Sequence, residues 1–274
     1  MGTTQRISNG VKNEPNWGNL TSSVTSAAKA VSDLEREDQK EQPEVQEDIE
    51  KQERRYNLLT RRRDAHINSA FERLIKIGGG SRNISSGKSV KIGRSGIKSS
   101  RKLVSFFSSV NNTGLSEALK KIGFENLAGK TVRDVVDFLI TFCGDSAIGM
   151  DETAANKAIS EVLRNIESAV DDDLDNLETL FKEYIDTDKL SEVLCNFFGV
   201  YIFEYLSERL EERLYQIRGE AVAKETFECI KKDIQGRVTR LNQVKPVTKI
   251  DWSGPAGESE IERIFESVIK IEEL

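Results

Sequence analysis

Ten apolar side chains between residues 190 and 214 recur at every third or fourth position: Leu190, Leu194, Phe197, Phe198, Tyr201, Ile202, Tyr205, Leu206, Leu210 and Leu214. That period belongs to an α-helix, not to a strand. The pattern opens near Thr187 and runs toward Ile217, so at 1.5 Å per residue the helix would be about 45 Å long. Only other helices can cover so long an apolar spine, which predicts a helical bundle.

The remaining patterns agree. Residues 26–77 read as helix broken at Pro43, the second piece carrying Ile49, Tyr56, Leu59, Ile67, Phe71, Leu74 and Ile75 before Gly78–Gly80 stops it. Leu103, Val104, Phe106, Phe107 and Val110 begin a helix, Ser116–Ile122 forms a short one, and Thr131 and Asp151 read as the caps of two more. Helices follow over Leu174–Ile185 and from Glu220 to about Asn242, and a last amphipathic one carries Ile261, Ile264, Phe265, Val268 and Ile269. No alternating strand run and no repeat period is present. The expected fold is all-α: a helical bundle over 103–245, preceded by a flexible polar N-terminal arm (1–25), a charged helical segment (26–77) and a basic Gly/Ser-rich connector (78–102). A Trp-containing linker with the C-terminal helix (246–274) completes it. The arm is Gly/Asn/Ser/Thr-rich, with Trp17 and Leu20 as its bulky apolar side chains, and is expected to form no core.

The stretch Gly78–Lys102 tests two function classes. It holds six glycines, seven serines and seven basic residues, with no acidic and no aromatic side chain. Its Gly87-Lys88-Ser89 triplet resembles the end of a phosphate loop, but the partner glycine would fall at Arg82, and a helix rather than a strand precedes it. A nucleotide cradle is therefore not expected there. Charge is segregated: residues 1–121 carry 22 basic and 14 acidic side chains, residues 122–274 carry 18 and 32. The basic stretch could contact phosphates through Arg82, Lys88, Lys91, Arg94, Lys98, Arg101 and Lys102. It lacks interleaved aromatics for base stacking. Equally, its charges could meet the acidic body or an acidic partner.

Other chemistry finds little support. Asp171-Asp172-Asp173-Leu174-Asp175 fails as a calcium loop, because Asn176 and Lys182 stand where Gly and Glu are needed; an acidic helix start explains it. His66 is the single histidine and lies beside Arg61–Arg63 and Asp64 on a charged helix, so no metal site and no enzyme are expected. No cofactor is implied. Cys143, Cys195 and Cys229 are widely spaced and sit in helical patterns, which suits buried thiols in a reducing compartment. With no apolar N-terminal region and no membrane-length apolar run, a cytoplasmic protein is expected. Gly2 follows Met1, but Arg6 stands where myristoylation needs Ser or Thr.

The order of several short motifs resembles the QatB family, a component of the bacterial four-gene Qat anti-phage system. They are Met1-Gly2-Thr3-Thr4 with Pro15-Asn16-Trp17; Gly93-Arg94-Ser95-Gly96, then Arg101–Phe107 and Gly114-Leu115; Leu127–Lys130; Asp151, Ala154, Ala158 and Glu161-Val162-Leu163; and Asp251-Trp252-Ser253-Gly254 with Gly257 before Ile261, Ile264, Phe265 and Glu266. The resemblance covers most of the chain except the charged helix at 30–60, which reads as a variable insert. It implies partners encoded alongside: a QueC-like protein, an ATPase and a TatD-like nuclease. It further implies that the bundle holds the QueC-like partner and that Gly2, once Met1 is removed, is the acceptor amine for a deazapurine nucleobase. Thr3, Thr4 and Trp17 would then contact that partner, and Trp252, Ile261 and Phe265 would dock the C-terminal helix. Gln5, Arg6 and Ile7 depart from a Gly-Gly-rich arm. Two other expectations stand beside this one: a nucleic-acid-binding adaptor that recruits the nuclease or ATPase, and a plain scaffold.

Overall fold

The computed structural model describes residues 15–40, 46–187, 189–244, 251–252 and 254–270. Among them are eleven helices and no strand: α1 Pro15–Asp38, α2 Gln46–Ile77, α3 Ser81–Ser85, α4 Arg94–Thr113, α5 Leu115–Lys121, α6 Val132–Cys143, α7 Met150–Ser168, α8 Leu174–Asp186, α9 Leu190–Arg218, α10 Glu220–Val244 and α11 Pro255–Lys270. The all-α expectation holds. None of these helices is long and apolar enough to cross a membrane.

The chain divides into two compact units. One takes in the described residues up to Ile77 together with Leu206–Lys232; the other takes in Gly78–Tyr205 and the residues from Asp233 onward. The long spine α9 contributes to both, which explains its sequence. Over Leu194–Ile202 its buried residues (Leu194, Cys195, Phe197, Phe198, Val200, Tyr201, Ile202) surround the helix, as befits a segment covered on every side. Beyond, Leu206, Leu210 and Leu214 form a single stripe.

In the first unit α1 packs along α2. Here the structure corrects an expectation. The helix starts at Pro15, inside the stretch read as a coreless arm, and Trp17, Leu20 and Val24 are 4%, 0% and 2% exposed. Proline suits the first helical position because its missing N–H has no partner there anyway. Trp17, Leu20, Val24, Ala27, Ala28, Val31 and Leu34 then complete one face at helical spacing. The polar residues between them hide that face in a composition count. Trp17, expected to contact a partner protein, is a core residue of this unit, with the Arg209 guanidinium 4.6 Å from its ring centroid.

In the second unit α4 is the hub: α5, α6, α7, α8 and α11 all pack on it, and α11 also packs on α3. Its first half is the stretch read as a connector. Residues 81–85 form α3, and α4 begins at Arg94 rather than Leu103. Ser95, Gly96, Ile97, Ser99 and Ser100 are buried, so the small side chains that resembled linker composition admit neighbouring helices closely. The lower half buries Phe106 and Phe107 against Phe181 of α8, at centroid distances of 5.7 and 4.6 Å. Phe265 of α11 stacks on Phe198 at 4.2 Å and 5°.

Helix starts in this unit draw on carboxylates. Thr131 and Asp134 form a capping box on α6. The Asp171–Asp175 run also caps: Asp173 accepts from the N–H groups of Asp175 and Asn176, and Asp172 accepts from Val132 N at 2.9 Å. Glu178 of α8 accepts from Leu115 N, the first residue of α5, at 3.0 Å. Each carboxylate meets the positive end of a helix dipole.

Candidate functional site

The start of α4 poses a problem its own sequence cannot solve. Gly93 at the N-cap has no side chain to accept a hydrogen bond, and the first turn holds no acidic residue. The acceptors come from other helices. Asp151, in the first turn of α7, accepts from Gly93 N through Oδ1 at 2.9 Å and from Ser95 N through Oδ2 at 2.7 Å. Tyr201 of α9 donates its hydroxyl to Asp151 Oδ1 and accepts from Gly93 N at 2.6 Å. The Tyr205 hydroxyl donates to Lys91 O at 2.8 Å, pinning the approach to the helix. Asp151 therefore caps α4 in trans; Gly149 holds the N-cap of α7, the place expected for Asp151. Burial, then the adjacent Asp151 carboxylate, pushes the Tyr201 hydroxyl well above its ordinary pKa. It stays a neutral donor.

Two glycines make this possible. Gly93 has φ 109°, and a Cβ there would lie 2.2 Å from the Ile84 carbonyl oxygen. A Cβ on Gly96 would meet the Tyr201 ring at 3.0 Å. Gly93 and Asp151, 58 positions apart in the chain, thus meet at one point.

The seven basic residues of 82–102 split into two groups. Lys98 pairs with Asp145 at 2.9 Å and Arg101 with Glu262 at 3.1 Å. Lys102 donates to the carbonyls of Phe142 and Gly144 at 2.6 and 3.0 Å, closing the C-terminus of α6. Arg82, Lys88, Lys91 and Arg94 are exposed around the loop between α3 and α4. The Gly87-Lys88-Ser89 triplet folds back on α3: Gly87 N donates to Ile84 O at 3.0 Å, and Lys88 N and Ser89 N both donate to Asn83 O at 3.0 Å. A phosphate loop needs those N–H groups converging on a ligand; here they close a helix.

Trp252, Ile261 and Phe265 are 6%, 2% and 0% exposed within the second unit. The backbone of Trp252 lies against Gly257, where a Cβ would sit 2.6 Å from the Trp252 carbonyl oxygen. Phe265 also meets the Tyr201 ring edge-on at 5.7 Å. The C-terminal helix docks on its own chain. Gly2, Thr3 and Thr4 lie outside the described residues. His66 is half-buried on α2, and among the described residues no group of three His, Cys, Asp or Glu side chains converges as metal ligands would. Burial pushes the Cys143 thiol up to about 12.

The Asp151–Tyr201 cluster is the feature that reading the sequence missed. Asp151 reads as a local cap and Tyr201 as one more spine residue; no spacing rule links a loop glycine to a tyrosine 108 positions on. What the cluster does is conformational. It fixes the first turn of the hub helix.

A comparison with known families matches residues 79–271 to the Qat anti-phage system associated protein QatB. No curated protein and no solved structure matches the chain. The matched span contains the whole α4 cluster and the C-terminal helix. It leaves out residues 1–78, and with them Gly2, Thr3, Thr4 and Trp17.

Proposed function

The chain belongs to the QatB family and so to a component of the Qat anti-phage system, and from that premise we propose that it serves as a non-catalytic subunit that binds a QueC-like partner and presents Gly2 for conjugation. The observation that supports this reading is the anchoring of α1. Trp17 is 4% exposed and covered by Arg209, so the chain leaves a fixed point at Pro15. Residues 3–14 lie between Gly2 and that point, a span of at most roughly 45 Å for a fully extended chain. Its residues are polar or glycine, apart from Ile7 and Val11.

The reaction is amide formation. The partner activates the carboxylate of a deazapurine with ATP; the free amine of Gly2 attacks the acyl carbon, loses a proton and displaces the activating group. This chain supplies only the amine. The Asp151 carboxylate and the buried Tyr201 hydroxyl are committed to backbone N–H groups of α4.

Intact-mass analysis after co-expression with the QueC-like protein tests the reading. The expected product lacks Met1 and carries one added nucleobase acyl group, and Gly2→Pro abolishes the addition. An unmodified N-terminus, with partner binding unaffected by that substitution, overturns the acceptor role.

A second reading, nucleic-acid binding, is supported by one observation: Arg82, Lys88, Lys91 and Arg94 are exposed together. It involves those four residues, since Lys98, Arg101 and Lys102 hold the unit together.

A further inference from the structure

The first unit carries a groove of about 280 Å³ between α1 and α9 whose lining contains three cations and no carboxylate. Ser22, Ser26 and Lys29 face it from α1, one helical turn apart, and Arg213, Ile217 and Arg218 face it from α9. Elsewhere in this chain of net charge −6 several basic residues pair with acids. Lys98, Arg101 and Arg164, for example, all hold carboxylates. Among the described residues, Lys29, Arg213 and Arg218 hold none. The hydroxyls of Ser22 and Ser26 likewise have no protein acceptor there, whereas Thr25 and Thr21, beside them, donate back to their own helix at 2.8 and 2.9 Å. Ile217 is 50% exposed at the rim. A Cβ on Gly18, at the groove's far end, would meet nothing within 4 Å, so the floor is open.

We propose that this groove binds the phosphates of a phosphate-bearing ligand. Three uncompensated cations within one small groove repel one another unless an anion lies between them. Guanidinium groups offer planar paired donors suited to phosphate oxygens, and serine hydroxyls add two more. Charge density decides between anions. A di- or triphosphate concentrates several charges within the span of a few ångströms, while a peptide brings one carboxylate per residue at about 3.3 Å spacing or more. Ile217 adds an apolar rim against which the organic part of a nucleotide can rest. The ligand's phosphates come either from a free nucleotide or from a nucleic-acid strand. The groove's described lining includes no residue of 2–14 or of 82–94, so the proposal stands whether or not the conjugation reading does.

The test is calorimetric titration of the full chain with inorganic pyrophosphate, ATP, a twenty-nucleotide single-stranded DNA and a ten-residue glutamate peptide, at 50 mM salt. The variants are Arg213→Gln with Arg218→Gln, and Ser22→Ala with Ser26→Ala; all four side chains lie on the groove surface, and matching thermal midpoints establish folding. Binding of pyrophosphate or ATP, weakened at least tenfold in the arginine variant and about threefold in the serine variant, supports a free-nucleotide source. Binding of DNA alone, weakened in the same way, supports a strand as the source. No binding of any phosphate probe, binding unchanged in both variants, or binding of the glutamate peptide alone overturns the proposal.

Discussion

The Asp151 carboxylate and the Tyr201 hydroxyl share one backbone N–H, that of Gly93, at 2.9 and 2.6 Å, while the hydroxyl donates to the same carboxylate oxygen. Removing either partner has unequal consequences. Asp151→Ala strands Ser95 N and the Tyr201 hydroxyl, at about 1–3 kcal/mol for each buried group left unpaired. Tyr201→Phe leaves Asp151 bonded to both amides and should cost about 1–2 kcal/mol. Urea midpoints of the two single variants and the double variant measure this. The double variant should lose less than the two losses added, because the groups act as one network.

Gly93 and Gly129 separate conformational strain from collision. Both have positive φ, 109° and 73°, but a Cβ at Gly93 meets the Ile84 carbonyl oxygen at 2.2 Å whereas one at Gly129 meets nothing within 4 Å. Gly129→Ala should cost only the left-handed penalty, about 1–2 kcal/mol. Gly93→Ala should cost at least twice that and shift the thermal midpoint correspondingly, since backbone atoms on both sides must move.

How much of this could be read from the chain depends on what each residue type reports. The helical class was legible because apolar residues on α6, α7 and α9 recur every three or four positions. The start of α1 was not, because its buried face mixes Trp17 and Leu20 with alanines, and alanine looks alike on a buried or a wet face. The start of α4 was hidden in a similar way. Ser95, Gly96, Ser99 and Ser100 have the composition of a linker, yet their small size is what lets Tyr201 and the neighbouring helices approach. The tertiary capping by Asp151, Glu178 and Asp172 was illegible for a different reason: a carboxylate near a helix start also reads as a cap for its own helix.

Acid should weaken the second unit in a definite window. Hydrogen bonding to Lys182, then to Leu115 N, holds the Glu178 carboxyl below its usual range, and hydrogen bonding to Lys98 does the same for Asp145. A carboxyl whose folded pKa is depressed contributes stability that is complete above its unfolded pKa, about 4, and is lost as pH falls through the folded value. The urea midpoint should thus be flat from pH 7 to about 5 and fall below that. Glu178→Gln with Asp145→Asn should be less stable at pH 7 and show a shallower fall.

Thiol labelling distinguishes the three cysteines. Cys143 and Cys195 are buried, Cys229 half-buried, and none is bridged. With its thiol pushed up to about 12 by burial, Cys143 presents almost no thiolate at pH 8. Burial raises Cys229 as well, though its partial exposure leaves it reachable. Native protein should consume at most one equivalent of a thiol reagent, slowly, and Cys229→Ser should abolish that reaction; denaturant should release the other two.

The two basic groups of 82–102 should respond oppositely to substitution. Replacing Arg82, Lys88, Lys91 and Arg94 by Ser changes exposed side chains and should shift stability by no more than about 0.5 kcal/mol per site. Replacing Lys98, Arg101 and Lys102 removes the ion pairs to Asp145, Glu258 and Glu262 and the donor that closes α6 through the Phe142 and Gly144 carbonyls. That set should lower the thermal midpoint clearly, with Lys102→Met accounting for most of the loss, because the α6 carbonyls are left without their donor. A DNA duplex retarded by the protein at low salt should be released by the first set while folding stays intact, each lost phosphate contact reducing the salt slope by about 0.9. Release by the second set alone, at unchanged stability, would move the phosphate contacts onto the first half of α4 and contradict the internal role of Lys98, Arg101 and Lys102.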